Sequence, residues 1–180
     1  AMTRGLPCVD IGIIHPIESY WLHWGPQDQT LAVRTQMEER FFHLTKLLLF
    51  SALDFDFISE ALLPGQVGEA GNLFAVGKMK YRTVVVPACE TLRESTVECL
   101  ENFLCQGGRL LFIGPCPVYM DARRDEEIRA RLEHLYQAAG RIEFEDSSIL
   151  AALEKERKLE IRDAAGNPAN MLLHQIRQEG

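Results

Sequence analysis

The sequence predicts an α/β domain, a doubly wound and mainly parallel sheet with helices on both faces and a C-terminal β-hairpin. Three observations carry this expectation. Strand-like and helix-like segments alternate along most of the 180 residues, and parallel strands need crossover helices of this kind. The short apolar runs Val9 to Ile14, Val84-Val85-Val86 and Leu110 to Ile113 read as buried strands. Between the first two lies a segment with apolar residues at Val33, Met37, Phe41, Leu44 and Leu48. Their spacing makes one continuous helical face.

Taken in order, Cys8 to Ile14 forms the first strand, and Asp28 or Thr30 caps a long helix running to about Leu53. Asp54 to Ile58 is the second strand, closed by Pro64-Gly65, and Leu73 to Val76 a short one beside the sheet. Tyr81 to Val86 follows, ended by Pro87. Thr91-Leu92-Arg93-Glu94 matches a capping box, in which hydroxyl and carboxylate each satisfy an orphan amide. That helix stops at Gly107-Gly108. Arg109 to Ile113, a helix through Ile128, Leu132 and Leu135, a strand at Ile142 to Phe144 and a helix from Ser147 to about Glu156 complete the alternation. Leu159 to Arg162, the turn Gly166-Asn167-Pro168 and Met171 to Ile176 read as the hairpin. The expected organisation is one α/β domain over 3–157, then 158–180 as the truncated start of a β-rich domain.

Composition narrows the function. Hydrophobic content of 47% with 25% charged residues is that of a globular protein. A net charge of −7 argues against nucleic acid as a partner, which calls for clustered Lys and Arg. Arg123-Arg124 is followed at once by Asp125-Glu126-Glu127 and reads as a solvated helix start. No apolar stretch reaches the roughly 20 residues of a membrane span, and no secretory signal opens the chain. Five cysteines without a Cys-x-x-Cys pair favour free thiols in a reducing, cytoplasmic setting.

The segment His15 to Pro26 is the candidate contact region. It holds both tryptophans, two of the five histidines and a carboxylate, and it looks like neither helix nor strand. A loop leaving a buried strand lies at the carboxyl edge of the sheet, where ligands bind. Aromatic faces beside carboxylate and imidazole suit a sugar or another polar ring. His15, Glu18, Tyr20, Trp21, His23 and Trp24 are therefore candidate substrate-binding residues. Glu60 and Glu90 join them, because each follows a strand whose exit converges on the same edge. The alternative for these two is capping a helix start or pairing with Arg82 or Arg93. The three aromatics can equally anchor a subunit interface or lie under the long helix.

His15, Glu18 and His23 match no recognised metal-ligand spacing, and Pro16 is expected to break any helix there. No metal is expected. The first strand is followed by no Gly-x-Gly-x-x-Gly and no Gly-rich loop ending in Lys-Ser/Thr, so no nucleotide cofactor is expected.

Tyr81-Arg82-Thr83-Val84-Val85-Val86-Pro87, a helix, and then Gly107-Gly108-Arg109-Leu110-Leu111-Phe112-Ile113-Gly114 resemble a known arrangement. It is the flavodoxin-like or class I glutamine-amidotransferase-like domain of large bacterial glycoside hydrolases, of which the beta-galactosidase trimerisation domain is an example. His15-Pro16-Ile17-Glu18-Ser19-Tyr20-Trp21 and Asp54 to Glu60 look like the same region of such hydrolases. Met171 to Arg177 is similar to the strand that enters their following β-rich domain. The resemblance implies a non-catalytic accessory domain, with the catalytic carboxylates on a separate barrel. Its role would be domain packing or homo-oligomerisation, with one wall of a carbohydrate pocket. The amidotransferase likeness also raises a stand-alone thiol hydrolase using Cys89 or Cys116. Pro115 and Pro117 flank the latter, and Glu90-Thr91 rather than small residues follow the former. A small-ligand binding domain is the third reading.

Overall fold

A computed structural model describes residues 4–167 and 175–179. After a two-residue strand β1 (Leu6–Pro7), β2 (Ile11–Ile14) leads through α1 (Ile17–Leu22) into α2 (Gln27–Phe50) and β3 (Phe55–Ile58). The short strands β4 (Val67–Gly68), β5 (Phe74–Val76) and β6 (Met79–Tyr81) precede β7 (Thr83–Val86) and β8 (Thr91–Leu92). Then come α3 (Glu94–Cys105), β9 (Arg109–Ile113), β10 (Tyr119–Met120), α4 (Glu126–Ala138), β11 (Gly140–Ile142), α5 (Asp146–Leu153) and β12 (Arg177–Gln178).

The central sheet has five parallel strands in the order β3-β2-β7-β9-β11. Counted along the chain within this sheet the order is 2-1-3-4-5, the flavodoxin-like winding. Winding reverses between β2 and β7, so their carboxyl ends flank the topological switch point. Successive side chains of a strand point to opposite faces, and β7 shows it. Val85 packs with Leu44, Leu48 and Ile149 of α2 and α5. Val84 and Val86 pack with Leu100 and Leu132 of α3 and α4. Both faces are thus covered, which is why Val84–Val86 and Leu110–Ile113 form unbroken apolar runs. A separate antiparallel sheet, β4-β5-β6, lies on the α3 side through Phe74, whose ring meets Phe103 edge-on at 5.2 Å.

Several local expectations are corrected. The single strand expected over Tyr81 to Val86 is split between Met79–Tyr81 in the small sheet and Thr83–Val86 in the central one, and the strand expected at Ile142 to Phe144 lies at Gly140–Ile142. His15 to Pro26 is not a loop throughout, since Ile17–Leu22 is helical with Pro16 at the N-cap. Proline has no amide to lose at the start of a helix, so it opens α1 rather than breaking it. Thr91 does not cap α3. Thr91–Leu92 pairs with β10, the N-cap is Arg93, and the Thr91 hydroxyl accepts from the Ala122 amide at 3.2 Å. Neither Asp28 nor Thr30 caps α2, which starts at Gln27; the Thr30 hydroxyl donates back to the Pro26 carbonyl at 3.0 Å.

The 24 residues of α2 span about 36 Å, well beyond the sheet's short strands. Burial on this helix starts at Leu44, so its first half overhangs the carboxyl edge. At the other end β12 pairs antiparallel with β1, giving a C-terminal antiparallel strand pair. The expected hairpin is not found as such among the described residues: Leu159 to Arg162 forms no strand, and β12 pairs with β1 instead. The expected turn is present at Gly166-Asn167, where the Asp163 amide donates to the Asn167 carbonyl, while 168–174 lie outside the described residues. Among the described residues no helix is long and apolar enough to cross a membrane.

Candidate functional site at the carboxyl edge

Ser19 organises this edge. It is fully buried on α1, and its hydroxyl accepts from the amides of Glu90 at 2.9 Å and Thr91 at 3.1 Å. The same hydroxyl donates to the Thr91 carbonyl. One side chain therefore ties the helix after β2 to the loop after β7, across the switch point. A second tie is His23 Nε2 to Glu90 Oε1 at 2.9 Å. A third is Glu18, which accepts from Arg93 Nε at 2.7 Å and Nη2 at 2.6 Å.

Glu60, two residues past β3, is only 1% exposed. Its Oε2 accepts from the Arg93 amide at 2.8 Å, so it closes the N-terminus of α3 from outside the helix. This is the capping expected of it, although Arg93 commits its guanidinium to Glu18. Among the described residues Glu60 Oε1 and the buried Thr96 hydroxyl have no hydrogen-bond partner of acceptable geometry. Burial pushes the Glu60 carboxyl above the ordinary range and Glu18 pushes it the same way. The Arg93 amide and the nearby Thr96 hydroxyl pull it down.

The other candidates lie around this network. His15 sits between Phe41 and Phe57, with ring centroids 5.1 and 5.7 Å away, and burial lowers its pKa. It is therefore a neutral imidazole near pH 7. Tyr20 and Trp24 pack at 6.3 Å, with the Arg34 guanidinium over both rings. Trp21 and Trp24 are 53% and 69% exposed, so neither is buried under α2. All eight sequence-selected residues thus fall on one edge of the sheet. Glu18, His23, Glu60 and Glu90 belong to one connected network, whereas His15 and the Tyr20–Trp24 pair stand beside it.

A cavity of about 310 Å³ opens between α1 and the β8–β10 corner, lined by Glu18, Trp21, Arg93 and Asp121 among others. Asp121 and its neighbour Ala122 have φ of 50° and 60°, a strained region for non-glycine residues. The pairing of Met120 with Arg123 and the Asp121 amide's bond to the Leu92 carbonyl hold them there. This corner and Ser19 escaped sequence reasoning, because no local spacing signals contacts between residues some 70 positions apart.

Burial raises the Cys89 thiol well above its usual pKa, and Glu60 and Glu90 add to the effect. Cys116 is also raised, by burial first, and its thiol donates to the Pro117 carbonyl. A thiol nucleophile requires the reverse shift. Among the described residues no cluster of three or more His, Cys, Asp or Glu is placed to hold a metal.

No family model matches the sequence, and no curated protein matches it. A solved structure aligns with 66% of the chain, that of a catalytic mutant of Gan42B, a GH42 beta-galactosidase from G. stearothermophilus. Identity is 13% and the TM-score 0.42, and the chain spans 15% of that protein's length. This distant structural neighbour is a glycoside hydrolase.

Proposed function

We propose that this domain is a non-catalytic accessory unit of a larger glycoside hydrolase. It would support domain packing or oligomerisation and present its α1 edge to a neighbouring carbohydrate pocket. The observation that carries the reading is the closure of the acidic network. Glycoside hydrolysis needs two carboxyl groups reaching the substrate, one of them an acid of raised pKa. Here the carboxyl that is raised, Glu60, is inaccessible, while Glu18 and Glu90 are already engaged by Arg93 and His23. On α1 and the turn after it, the exposed side chains include Trp21 and Trp24. Two exposed tryptophans on six helical residues and the turn after them exceed the ordinary scatter of surface apolar groups, and Trp is enriched where proteins dock. The resemblance of His15 to Trp21 to hydrolase accessory domains supports the same reading.

In this role Trp21 and Trp24 stack on sugar or on a partner surface, and Glu18 and His15 border the contact. The test uses the purified chain. It is expected to release no nitrophenol from a panel of nitrophenyl glycosides. It is also expected to self-associate at micromolar concentration in sedimentation velocity, with Trp24→Ala shifting it to monomer. Turnover by this chain alone, or a wild-type monomer over that range, overturns the reading.

A further inference from the structure

The carboxyl edge has a second half, beyond Ala88, that the network around Ser19 does not reach. We propose that this half binds a small carboxylate carrying a neighbouring hydrogen-bond donor and an apolar side group. Two cavities meet there, and Ala88, just past β7, lines both. One, of about 180 Å³, lies over the switch point and is lined by Ile17, Tyr20, Met37, Phe41, His15 and Glu38. The other, of about 420 Å³, lies over the ends of β9 and β11 and is lined by Arg40, Arg141, Glu143, Tyr136 and Phe144. The larger falls in the size range of small-molecule sites, roughly 300–1,000 Å³.

The chemistry of the larger cavity is specific. Arg82, Arg93, Arg109, Arg129, Arg131, Arg157 and Arg162 each face a carboxylate, whereas the remaining arginines, Arg34, Arg123 and Arg124 among them, have no such partner among the described residues. Arg40 has no such partner among the described residues, and Arg141 donates only to the Gln137 side-chain oxygen at 2.8 Å. Two arginines, from α2 and β11, therefore line one cavity without an ion pair of their own among the described residues, and a planar carboxylate fits guanidinium forks bidentately. Glu143 borders the same cavity, and an ionised carboxylate only accepts hydrogen bonds. A bare anion would meet its repulsion, whereas a ligand with a hydroxyl or ammonium beside its carboxylate satisfies all three side chains. The apolar remainder then has Met37, Phe41 and Ile17 to cover it, and the neutral His15 adds no competing charge.

The floor is kept low by two small residues. Gly114, leaving β9 with φ +100°, lies so close to Ala88 that a Cβ there would sit 3.1 Å from the alanine methyl. The Tyr136 hydroxyl donates to the Gly114 carbonyl at 2.9 Å and holds this exit in place.

Isothermal titration with four probes tests the proposal: L-phenylalanine, L-phenyllactate, 3-phenylpropionate and L-phenylalaninol. The amino acid, the hydroxy acid or both are expected to bind saturably. 3-Phenylpropionate, lacking the donor, is expected to bind several-fold more weakly, and phenylalaninol, lacking the carboxylate, not at all. Arg40→Ala and Arg141→Ala, both at exposed positions, should each weaken binding about tenfold without changing the circular dichroism. Glu143→Gln separates the two ligand sources, weakening an ammonium ligand more than a hydroxyl one. Absence of saturable binding by every probe, equal binding of phenylalaninol, or indifference to both arginine variants overturns the proposal. The outcome is independent of the accessory-domain reading, whose tests are turnover and self-association.

Discussion

Two carboxylates sit at opposite ends of the sheet, and the domain treats them differently. At the amino ends of β7 and β9, Glu156 Oε1 accepts from Arg109 Nη1 at 2.6 Å and from the Thr83 hydroxyl at 2.5 Å. Arg109 also donates to the Ala152 carbonyl, which fastens the end of α5 beneath the sheet. At the carboxyl end Glu60 has one backbone amide and no guanidinium of its own. The nearest one, on Arg93, turns to Glu18 instead. The amino edge is thus a charge-compensated clasp. The carboxyl edge tolerates a buried acid without a guanidinium of its own and two consecutive non-glycine residues at positive φ, Asp121 and Ala122, where the amino edge has one, Ala52. Such liberties concentrate where a fold is used rather than merely held together.

The comparison predicts an order of effects. Arg109→Met strips the Glu156 carboxylate of its counter-charge while leaving its side chain 6% exposed. Breaking one partner of a buried pair costs about 3 kcal/mol, and urea unfolding reads it directly. Replacing both partners, as in Arg109→Met with Glu156→Leu, should recover much of that loss, because no charge is then left without compensation. Ser19→Ala comes next. It leaves the amides of Glu90 and Thr91 without their common acceptor, a loss of about 2 kcal/mol. Faster amide hydrogen exchange in α1 should accompany it, while β9 is unaffected. A cost for Ser19→Ala above that for Arg109→Met would break the comparison, since the carboxyl edge would then be the better-secured one.

How much of this was legible depends on the range of the interaction. Thr83–Val86 and Arg109–Ile113 were readable because a strand covered on both faces carries an unbroken apolar run, here Val84–Val86 and Leu110–Ile113. The end of α3 was readable because Gly107, with φ +80°, supplies the left-handed residue that terminates a helix. The capping box at Thr91 was misleading for a tertiary reason, since β10 arrives from elsewhere in the chain and takes Thr91–Leu92 as a strand partner. Placement of Glu60 and Glu90 at the edge followed from their position after strands. What holds them did not follow, because Ser19 and Arg93 make contacts with no periodicity to announce them. Arg40 and Arg141 carried even less signal. One lies within a long helix and the other in an edge strand, and only the winding of the sheet brings both to one cavity.

The smallest effect concerns Glu60 itself, and its sign is the sharpest test of the contrast. A carboxyl whose folded pKa is raised retains its proton in the native state after the unfolded chain has released it. Its contribution to stability is therefore complete below the ordinary carboxylate range and is lost as pH rises through the raised value. Glu60→Gln keeps a neutral group of the same shape, retains an acceptor for the Arg93 amide and brings an N–H toward the orphan Thr96 hydroxyl. The variant should match wild type near about pH 4 and become the more stable of the two by about pH 8. The competing effect is the favourable charge of a carboxylate at the N-terminus of α3, roughly 0.3–1 kcal/mol for such a position. Burial opposes it, and with Oε1 unpartnered burial is the larger influence. Thermal melts of both proteins across that pH range decide the matter. A gap that opens with rising pH means desolvation governs Glu60, whereas a variant that falls below wild type at high pH means the helix end compensates the charge as fully as Arg109 does for Glu156.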